Sequence, residues 1–425
     1  MLAAEAVRRG GVRGLAFASL TGAAMLALLV AAAPARAGED TANIPVRQRA
    51  HADYDPVGVR LDAFMFYPSV TIGVQYDSNL FATTQPIGDW ALVTAPELRV
   101  LADRGDGTYV LDLGAAHYTY RKYDAEERTD AYARFRLSKP ITRDIIWDAA
   151  FEAARRHELR EDALSFTDAT EPIPYRDLNA QSAVTRTFNR FGVMIGGRIR
   201  NLHFENVEDY EVAPFGQGLR DGTIVTTTLK PFYDFSPGYR AYARIDLSRR
   251  DYVGEGQQNR DSQGIDGRAG LEFRLSALLF GSAELGYLTY DYDNPLIPNV
   301  EGLSAAARVI WLMTPLMTLT FFTQRSVAEL ASPDQEGRLD FSAGAQLDYE
   351  ILRNLILSLE GVYKNEDFVV AGRTDDIFKL SAKMDYLISR SIHLGLTYNY
   401  IERSSDDSNL DFQKHVVTLN VTAQH

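Results

Sequence analysis

The sequence predicts an all-β protein, a transmembrane antiparallel up-and-down β-barrel of about eighteen strands behind a cleaved signal peptide. Three observations predict it. Segments of about ten residues alternate apolar and polar side chains. They run in pairs, with a short turn at one end and a longer polar loop at the other, and successive turns lie roughly 37 to 48 residues apart, the length of two tilted membrane strands with their connections. The chain also opens with a basic, then apolar, then small-residue segment of the kind removed on export.

That opening segment is 1–37. Arg8, Arg9 and Arg13 are its basic part, Leu15 to Ala33 its apolar part, and Ala35-Arg36-Ala37 the cleavage pattern, with the cut expected after Ala37. A membrane anchor is the rival reading, but Ala-Pro-Ala-Arg-Ala follows the apolar run directly. Residues 38–63 then form a short periplasmic N-terminal segment, and 64–425 the outer-membrane barrel.

The first strand, 64–76, places Phe64, Phe66, Val70, Ile72, Val74 and Tyr76 on one face and Met65, Tyr67, Ser69, Thr71, Gly73 and Gln75 on the other. Side chains alternate across a strand, so one face can meet lipid and the other water. The second, 90–102, turns Trp90, Leu92, Leu98 and Val100 outward. Further strands are expected at 109–122, 130–138, 145–156, 179–187, 191–203, 222–233, 239–252, 262–274, 279–292, 302–312, 317–326, 337–350, 355–364, 375–387, 392–401 and 412–423. The pattern is cleanest at 265–274, where Ile265, Gly267, Ala269, Leu271 and Phe273 alternate with Asp266, Arg268, Gly270, Glu272 and Arg274. Period two smears apolar groups around a helix, which excludes one here. A soluble sandwich would use shorter strands and point its apolar faces inward.

Short turns belong to the periplasmic side and long loops to the outside, so both termini are periplasmic. The longest loops, 157–178 and 204–221, are acidic: Glu158, Glu161, Asp162, Asp168 and Glu171 in the first, Glu205, Glu208, Asp209 and Glu211 in the second. Pro172-Ile173-Pro174 could fold the first loop into the pore, although a plain surface loop is the default. Trp90, Tyr118, Tyr120, Tyr252, Tyr290, Tyr292, Trp311 and Tyr400 fall near strand ends, where interfacial girdles lie.

The face turned away from lipid carries both signs of charge. Arg134, Arg136, Arg198, Arg200, Arg244, Arg268, Arg308 and Arg338, with Asp246, Asp266, Glu272 and Asp340, are candidate pore-lining residues. Opposed charges across a pore tune selectivity, and the same residues can simply pair across strands and stiffen the wall. Tyr118, Tyr120, Tyr242 and Tyr290 share this parity, and their rings could stack on sugars.

The chemistry excluded is as informative. There is no cysteine, hence no disulfide or thiolate metal site. The net charge of −13 leaves no basic face for nucleic acid. No catalytic residue, cofactor or metal is expected: Asp77-Ser78-Asn79 reads as an Asx turn, too poor in ligands for calcium. A barrel enzyme would need a Ser/His or Asp/His pair at the outer rim. His157 and His203 are expected near it, with acidic loop residues close by, as chance allows on a charged surface. Residues 64–425 are too few for a 22-stranded transporter with its plug.

Tyr54-Asp55-Pro56-Val57-Gly58-Val59-Arg60, Tyr67-Pro68-Ser69-Val70 and Tyr76-Asp77-Ser78-Asn79-Leu80-Phe81 resemble the entry, first strand and first exit of the putative β-barrel porin 2 family of proteobacterial outer-membrane proteins. Some members are associated with exopolysaccharide export. The resemblance therefore implies an outer-membrane channel that is the outlet or an accessory of such export, with periplasmic and inner-membrane export proteins as partners. Residues 38–63 are too short to be a periplasmic scaffold of its own. The alternative is a passive diffusion porin for small hydrophilic solutes. A structural or adhesin barrel presenting acidic loops stands behind both. Outer-membrane lipid, lipopolysaccharide and the barrel assembly machinery are partners under any of these. The chain departs from common barrel practice at its end, where Gln424-His425 stands in place of a terminal aromatic.

Overall fold

The computed structural model describes residues 43–425 apart from 104, 163–169, 208–216, 254–258, 328–336 and 370–371. The expected signal peptide and the loop residues Asp168, Glu208, Asp209 and Glu211 lie outside the described residues. Nineteen strands are described. A short β1 (Val59–Leu61) precedes β2 (Phe64–Asp77), β3 (Asp89–Asp103), β4 (Thr108–Tyr120), β5 (Arg128–Pro140), β6 (Ile145–His157), β7 (Pro174–Phe188), β8 (Phe191–Phe204), β9 (Gly222–Ser236) and β10 (Tyr239–Tyr252). Then follow β11 (Ser262–Arg274), β12 (Leu279–Tyr292), β13 (Val300–Thr314), β14 (Met317–Val327), β15 (Arg338–Leu352), β16 (Leu355–Phe368), β17 (Arg373–Leu387), β18 (Ile392–Ser405) and β19 (Phe412–Gln424).

Every strand from β2 to β19 pairs antiparallel with its sequence neighbours, and β19 closes on β2 from Val416↔Asp77 to Gln424↔Ser69. Closure satisfies all backbone groups within the sheet, the condition for crossing a bilayer with strands. All eighteen expected strands are present. β7 begins earlier than expected, at Pro174, because a proline at the first position of a strand forfeits no ladder bond. β16 and β18 run on through Lys364-Asn365-Glu366-Asp367 and Glu402-Arg403-Ser404-Ser405. There the alternation lapses into polar runs, but the hydrogen-bonded ladder continues above the apolar band.

The apolar parity is turned outward: Ile72, Leu92, Ile199, Leu247, Ile265, Leu285, Leu303 and Leu419 are all exposed. Tyr76 packs on Trp90 at 4.9 Å near the loop end, and Trp311 is exposed near the turn end. The expected girdle needs one correction. Tyr118, Tyr120 and Tyr290 are buried on the inner face, and Tyr252 and Tyr292 share its parity. Proximity to a strand end is not sufficient; parity decides which side of the wall a ring occupies.

β1 was not expected. It pairs with β2 from Val59↔Phe66 to Leu61↔Phe64 through a tight turn at Asp62 (φ 53°). It thereby covers the part of the β2 edge beyond the reach of β19. β19 itself runs through Gln424, whose side chain donates to the carbonyl of Arg390 at 2.9 Å. His425 then donates its backbone N–H to Pro68 at 3.1 Å.

Candidate functional site: the barrel lumen

The wall is a mosaic of ion pairs. Asp112 accepts from Arg99 and Arg136, each at 2.6 Å. Glu152 takes Arg134 at 2.8 Å and also Arg156, which reaches on to Asp177 at 3.1 Å; Arg200 meets the same Asp177 at 2.9 Å. Across β9–β12, Arg244 pairs with Asp246 at 2.7 Å, Arg268 with Asp266 and with Glu284 (2.5 Å), and Glu272 with Lys230 at 2.8 Å. On β15–β16, Arg338 pairs with Asp340 at 2.7 Å and lies 3.6 Å from Glu366. Arg198 donates to Asn179 at 3.0 Å. Arg308 faces Glu360 and Asp348 without a direct bond to either. All twelve candidate residues therefore lie on the face opposite the exposed apolar one. Most are held by a neighbour on the wall, the arrangement expected of cross-strand stiffening.

The inner tyrosines lie along this wall. Tyr242 covers Gly270 and Tyr290 covers Gly264 so closely that a Cβ at either glycine would overlap the ring. Cations also stand against these rings and that of Tyr118: Lys230 lies 3.9 Å from the Tyr242 ring centre, Arg250 4.4 Å from Tyr290 and Arg128 4.1 Å from Tyr118. Few ring faces are left for stacking on sugars.

Two segments enter the lumen. At the loop end it is the stretch 158–162, which follows β6. Its base is closed by the Glu158 N–H donating to Ile173 at 2.9 Å. Glu158 pairs with Arg220 of the next long loop, and Arg160 pairs with Glu126 at 2.5 Å and stands over Phe81 at 5.8 Å. Glu161 crosses further, past β5, β4, β3 and β2 in the closed order, to inward-facing cations of β17–β19. It lies 3.6 Å from Lys379 and 3.1 Å from Lys414, and its backbone carbonyl accepts from Arg403 at 2.6 Å. Burial alone would raise its pKa, but Lys414 and Lys379 outweigh that and hold the carboxyl at about 2. Burial raises that of the adjacent Asp162.

The first loop supports this arrangement. Asp77 binds Lys414 at 2.9 Å and caps the Asn79 N–H at 3.0 Å, the expected Asx turn. Asn79 is buried and donates to the carbonyls of Thr83 (2.7 Å) and Gln413 (3.1 Å). Leu80 packs with Ala91, Ala116, Tyr118 and Tyr120, while Ala82 packs with Ile377, Ile401 and Phe412. The Asp77–Phe81 motif thus builds the inner lining of this mouth.

At the turn end the segment from Val46 to Tyr54 is seated on β14–β18. The Val46 side chain is fully buried against Ile356 and Leu387, and its N–H donates to Thr318 at 3.0 Å. Arg47 pairs with Asp348 at 2.7 Å and Arg49 with Glu350 at 3.2 Å. The carbonyl of Tyr54 accepts from His393 at 3.1 Å, and Asp55 caps the His51 N–H at 2.7 Å. Gly58 (φ 73°) follows, its Cα pressed against the Tyr67 ring.

Sequence reasoning missed Lys379, Lys414, Arg403, Arg47 and Arg49. The first three were legible, since they carry the inward parity of strands correctly placed. The last two sit in a stretch without periodicity, and nothing in it signals docking. The rim histidines pair with single carboxylates, His157 with Asp130 at 2.9 Å and His203 with Asp221 at 2.5 Å. Each carboxylate also caps a backbone N–H, of His157 and Phe204 respectively, a strand-end role.

Among curated proteins no sequence matches the chain. Solved structures with a similar course include Pseudomonas aeruginosa OpdL (12% identity, 86% of this chain and 99% of that one, TM-score 0.42). Acinetobacter baumannii OccAB2 is also similar (10% identity, 86% and 98%, TM-score 0.46), as is Pseudomonas aeruginosa OpdK (10%, 85% and 99%, TM-score 0.44). The model of the family described as Putative beta-barrel porin 2 matches residues 51–425, from the docked N-terminal segment to the final residue. The chain is a porin-like β-barrel channel of the Gram-negative outer membrane and belongs to the Putative beta-barrel porin 2 family.

Proposed function

We propose that this barrel is a passive diffusion channel for small hydrophilic solutes, charged ones included, and that the export of exopolysaccharide is not its task. The observation that carries this reading is the seat of Glu161 between Lys379 and Lys414. A loop anchored across the lumen suits small solutes better than a hydrated polymer. The coverage of the Tyr242 and Tyr290 rings takes two of the four inner tyrosines out of the stacking surface that a polymer path would use. An adhesin would display its acidic loop, whereas Glu158 and Glu161 are turned inward onto cations. The twelve charged candidates then act as a hydrated wall with a transverse field. The partners under this reading are outer-membrane lipid, lipopolysaccharide and the assembly machinery. Inner-membrane export proteins are not required.

The test pairs two measurements. The chain from Gly38 onward, refolded in detergent and inserted into planar bilayers, should show discrete conductance steps and pass small sugars in liposome swelling. A deletion strain should secrete polysaccharide normally. A silent purified barrel together with polymer retained in the periplasm of the deletion strain would restore the export reading.

A further inference from the structure

The inward cations of this barrel are not all alike. Arg134, Arg200, Arg244, Arg268 and Arg338 each have a carboxylate on the wall itself. Among the described residues Lys379 on β17 and Arg403 on β18 make no ion pair with a wall carboxylate, although Glu366 of β16 lies near enough to Arg403 to feel its charge. Among the described residues the only ion-pair partner of Lys379 is Glu161, and the only hydrogen-bond partner of Arg403 is the Glu161 carbonyl. Lys414 on β19 divides its charge between Glu161 and Asp77. Three cations on three adjacent strands thus converge on one residue of the loop, Lys379 and Lys414 on its carboxylate and Arg403 on its backbone carbonyl.

We infer that Lys379, Arg403 and Lys414 form a binding station for the carboxylate of a small anionic solute, and that Glu161 occupies it as a built-in competitor. The inference rests on the diffusion-channel reading and names a solute class for it. The chemistry is that of the contact already made. Two ammonium groups take the two oxygens of a carboxylate, and a guanidinium beside them takes a further acceptor. The groups facing the station are Asp77, Asp162 and Glu161 with the three cations, and Lys364 and Glu366 lie next to it. When Glu161 leaves, Asp77 neutralises only part of the remaining charge, so an entering anion meets a net positive site. Competition has a definite size. A loop docked about 90% of the time weakens a competitor's apparent affinity about tenfold.

The test uses the mature barrel in planar bilayers, with benzoate as the probe and benzamide as its neutral counterpart. In Glu161→Gln the reversal potential in a potassium chloride gradient should move toward the chloride potential. Benzoate should block the current with an apparent affinity about tenfold tighter than in the native chain, while benzamide has no effect. Adding Lys379→Met to that variant should abolish the block. A purely structural tether predicts something else: a larger conductance to both ions, with unchanged selectivity and no benzoate block, and that result overturns the station. Silence of the native barrel itself overturns the channel reading beneath it. Heat-modifiable migration on gels reports whether Glu161→Gln folds. Should it fail, Lys379→Met in the native loop background must shift the reversal potential toward potassium, and an unchanged value there overturns the station equally.

Discussion

At the outer mouth an acidic loop is seated on a basic wall, Glu161 on Lys379 and Lys414. At the periplasmic mouth a basic segment is seated on an acidic wall, Arg47 on Asp348 and Arg49 on Glu350. The same device appears with its charges exchanged, and the two are anchored differently. The outer loop is tied to strands at both ends and to its neighbours through Arg160–Glu126 and Glu158–Arg220. Among the described residues the periplasmic segment continues into the wall at its C-terminal side, through β1, and is held by two ion pairs, by Val46 with Tyr54 beside it in an apolar socket, and by two hydrogen bonds, from the Val46 N–H to Thr318 and from His393 to the Tyr54 carbonyl. The wall is common to both, so release of either should depend on what anchors it. The outer loop should be the durable constriction and the N-terminal segment the removable one.

The largest effect should come from shortening the outer loop. Replacing 159–172 by a short turn removes Arg160 and Glu161 together and should raise single-channel conductance several-fold, with the strands intact by circular dichroism. An unchanged conductance would mean that the narrowest point lies elsewhere and would invert the comparison.

Next comes Arg49→Glu. This places a carboxylate against Glu350 where both partners are buried, and breaking a buried pair costs roughly 3–5 kcal/mol. That exceeds what Val46 gains from its socket, about 1.5–3 kcal/mol for a fully buried apolar side chain. The segment should come out. With no native cysteine in the chain, Val46→Cys becomes a clean reporter. A polar maleimide should leave it unmodified in the otherwise native barrel and label it when Arg49→Glu is added. Protection in both would show that the apolar socket, not the charge, holds the segment.

A smaller effect is expected from Asn79→Ala. Asn79 donates to two carbonyls and accepts from Thr83, and it is buried where water cannot replace those bonds. Losing it should loosen the first loop and let Phe81 move away from Arg160. The result would be noisier current with little change in mean conductance. A quiet channel would show that the outer loop needs no support from the first.

How much of this was legible in the sequence depends on periodicity. The strands were, because a half-lipid, half-water wall forces an alternation that survives wherever both solvents are present. It fails where one of them ends, as in β16 beyond Tyr363 and β18 beyond Ile401. The inner charges were legible by the same parity, including Lys379 and Lys414. What they bind was not, since the partner comes from a loop whose path no local pattern records. The family motif at Asp77–Phe81 marked the outer mouth correctly without showing why. Its reason is tertiary, with Asp77 reaching Lys414 on a strand more than three hundred residues away in sequence. The inner tyrosines mark the opposite limit. Parity placed Tyr242 and Tyr290 in the lumen, but only the glycines across the strand reveal that the rings lie flat on the wall.

The smallest effect expected is that of acid, and it separates the two constrictions most finely. Glu161 has its pKa lowered to about 2, so it remains charged far below the ordinary glutamate range. A depressed carboxylate contributes stability that is complete above its unfolded value, about 4.3, and is lost only as pH falls through the folded one. Docking of the outer loop should therefore hold from neutral pH down to about 4 and fade toward pH 2. Asp162 carries the opposite shift, raised by burial, and takes up its proton earlier. A raised carboxyl is more easily protonated in the folded state than out of it, so acidification favours its buried position and does not release the loop. Conductance of the native barrel should be nearly flat between pH 7 and about 4, whether or not the N-terminal segment has been freed by Arg49→Glu. A steep opening near pH 5 in the Arg49→Glu barrel would assign the acid response to the outer loop and show that Lys379 and Lys414 hold Glu161 only weakly. The same opening in the native barrel alone would assign it to the periplasmic segment.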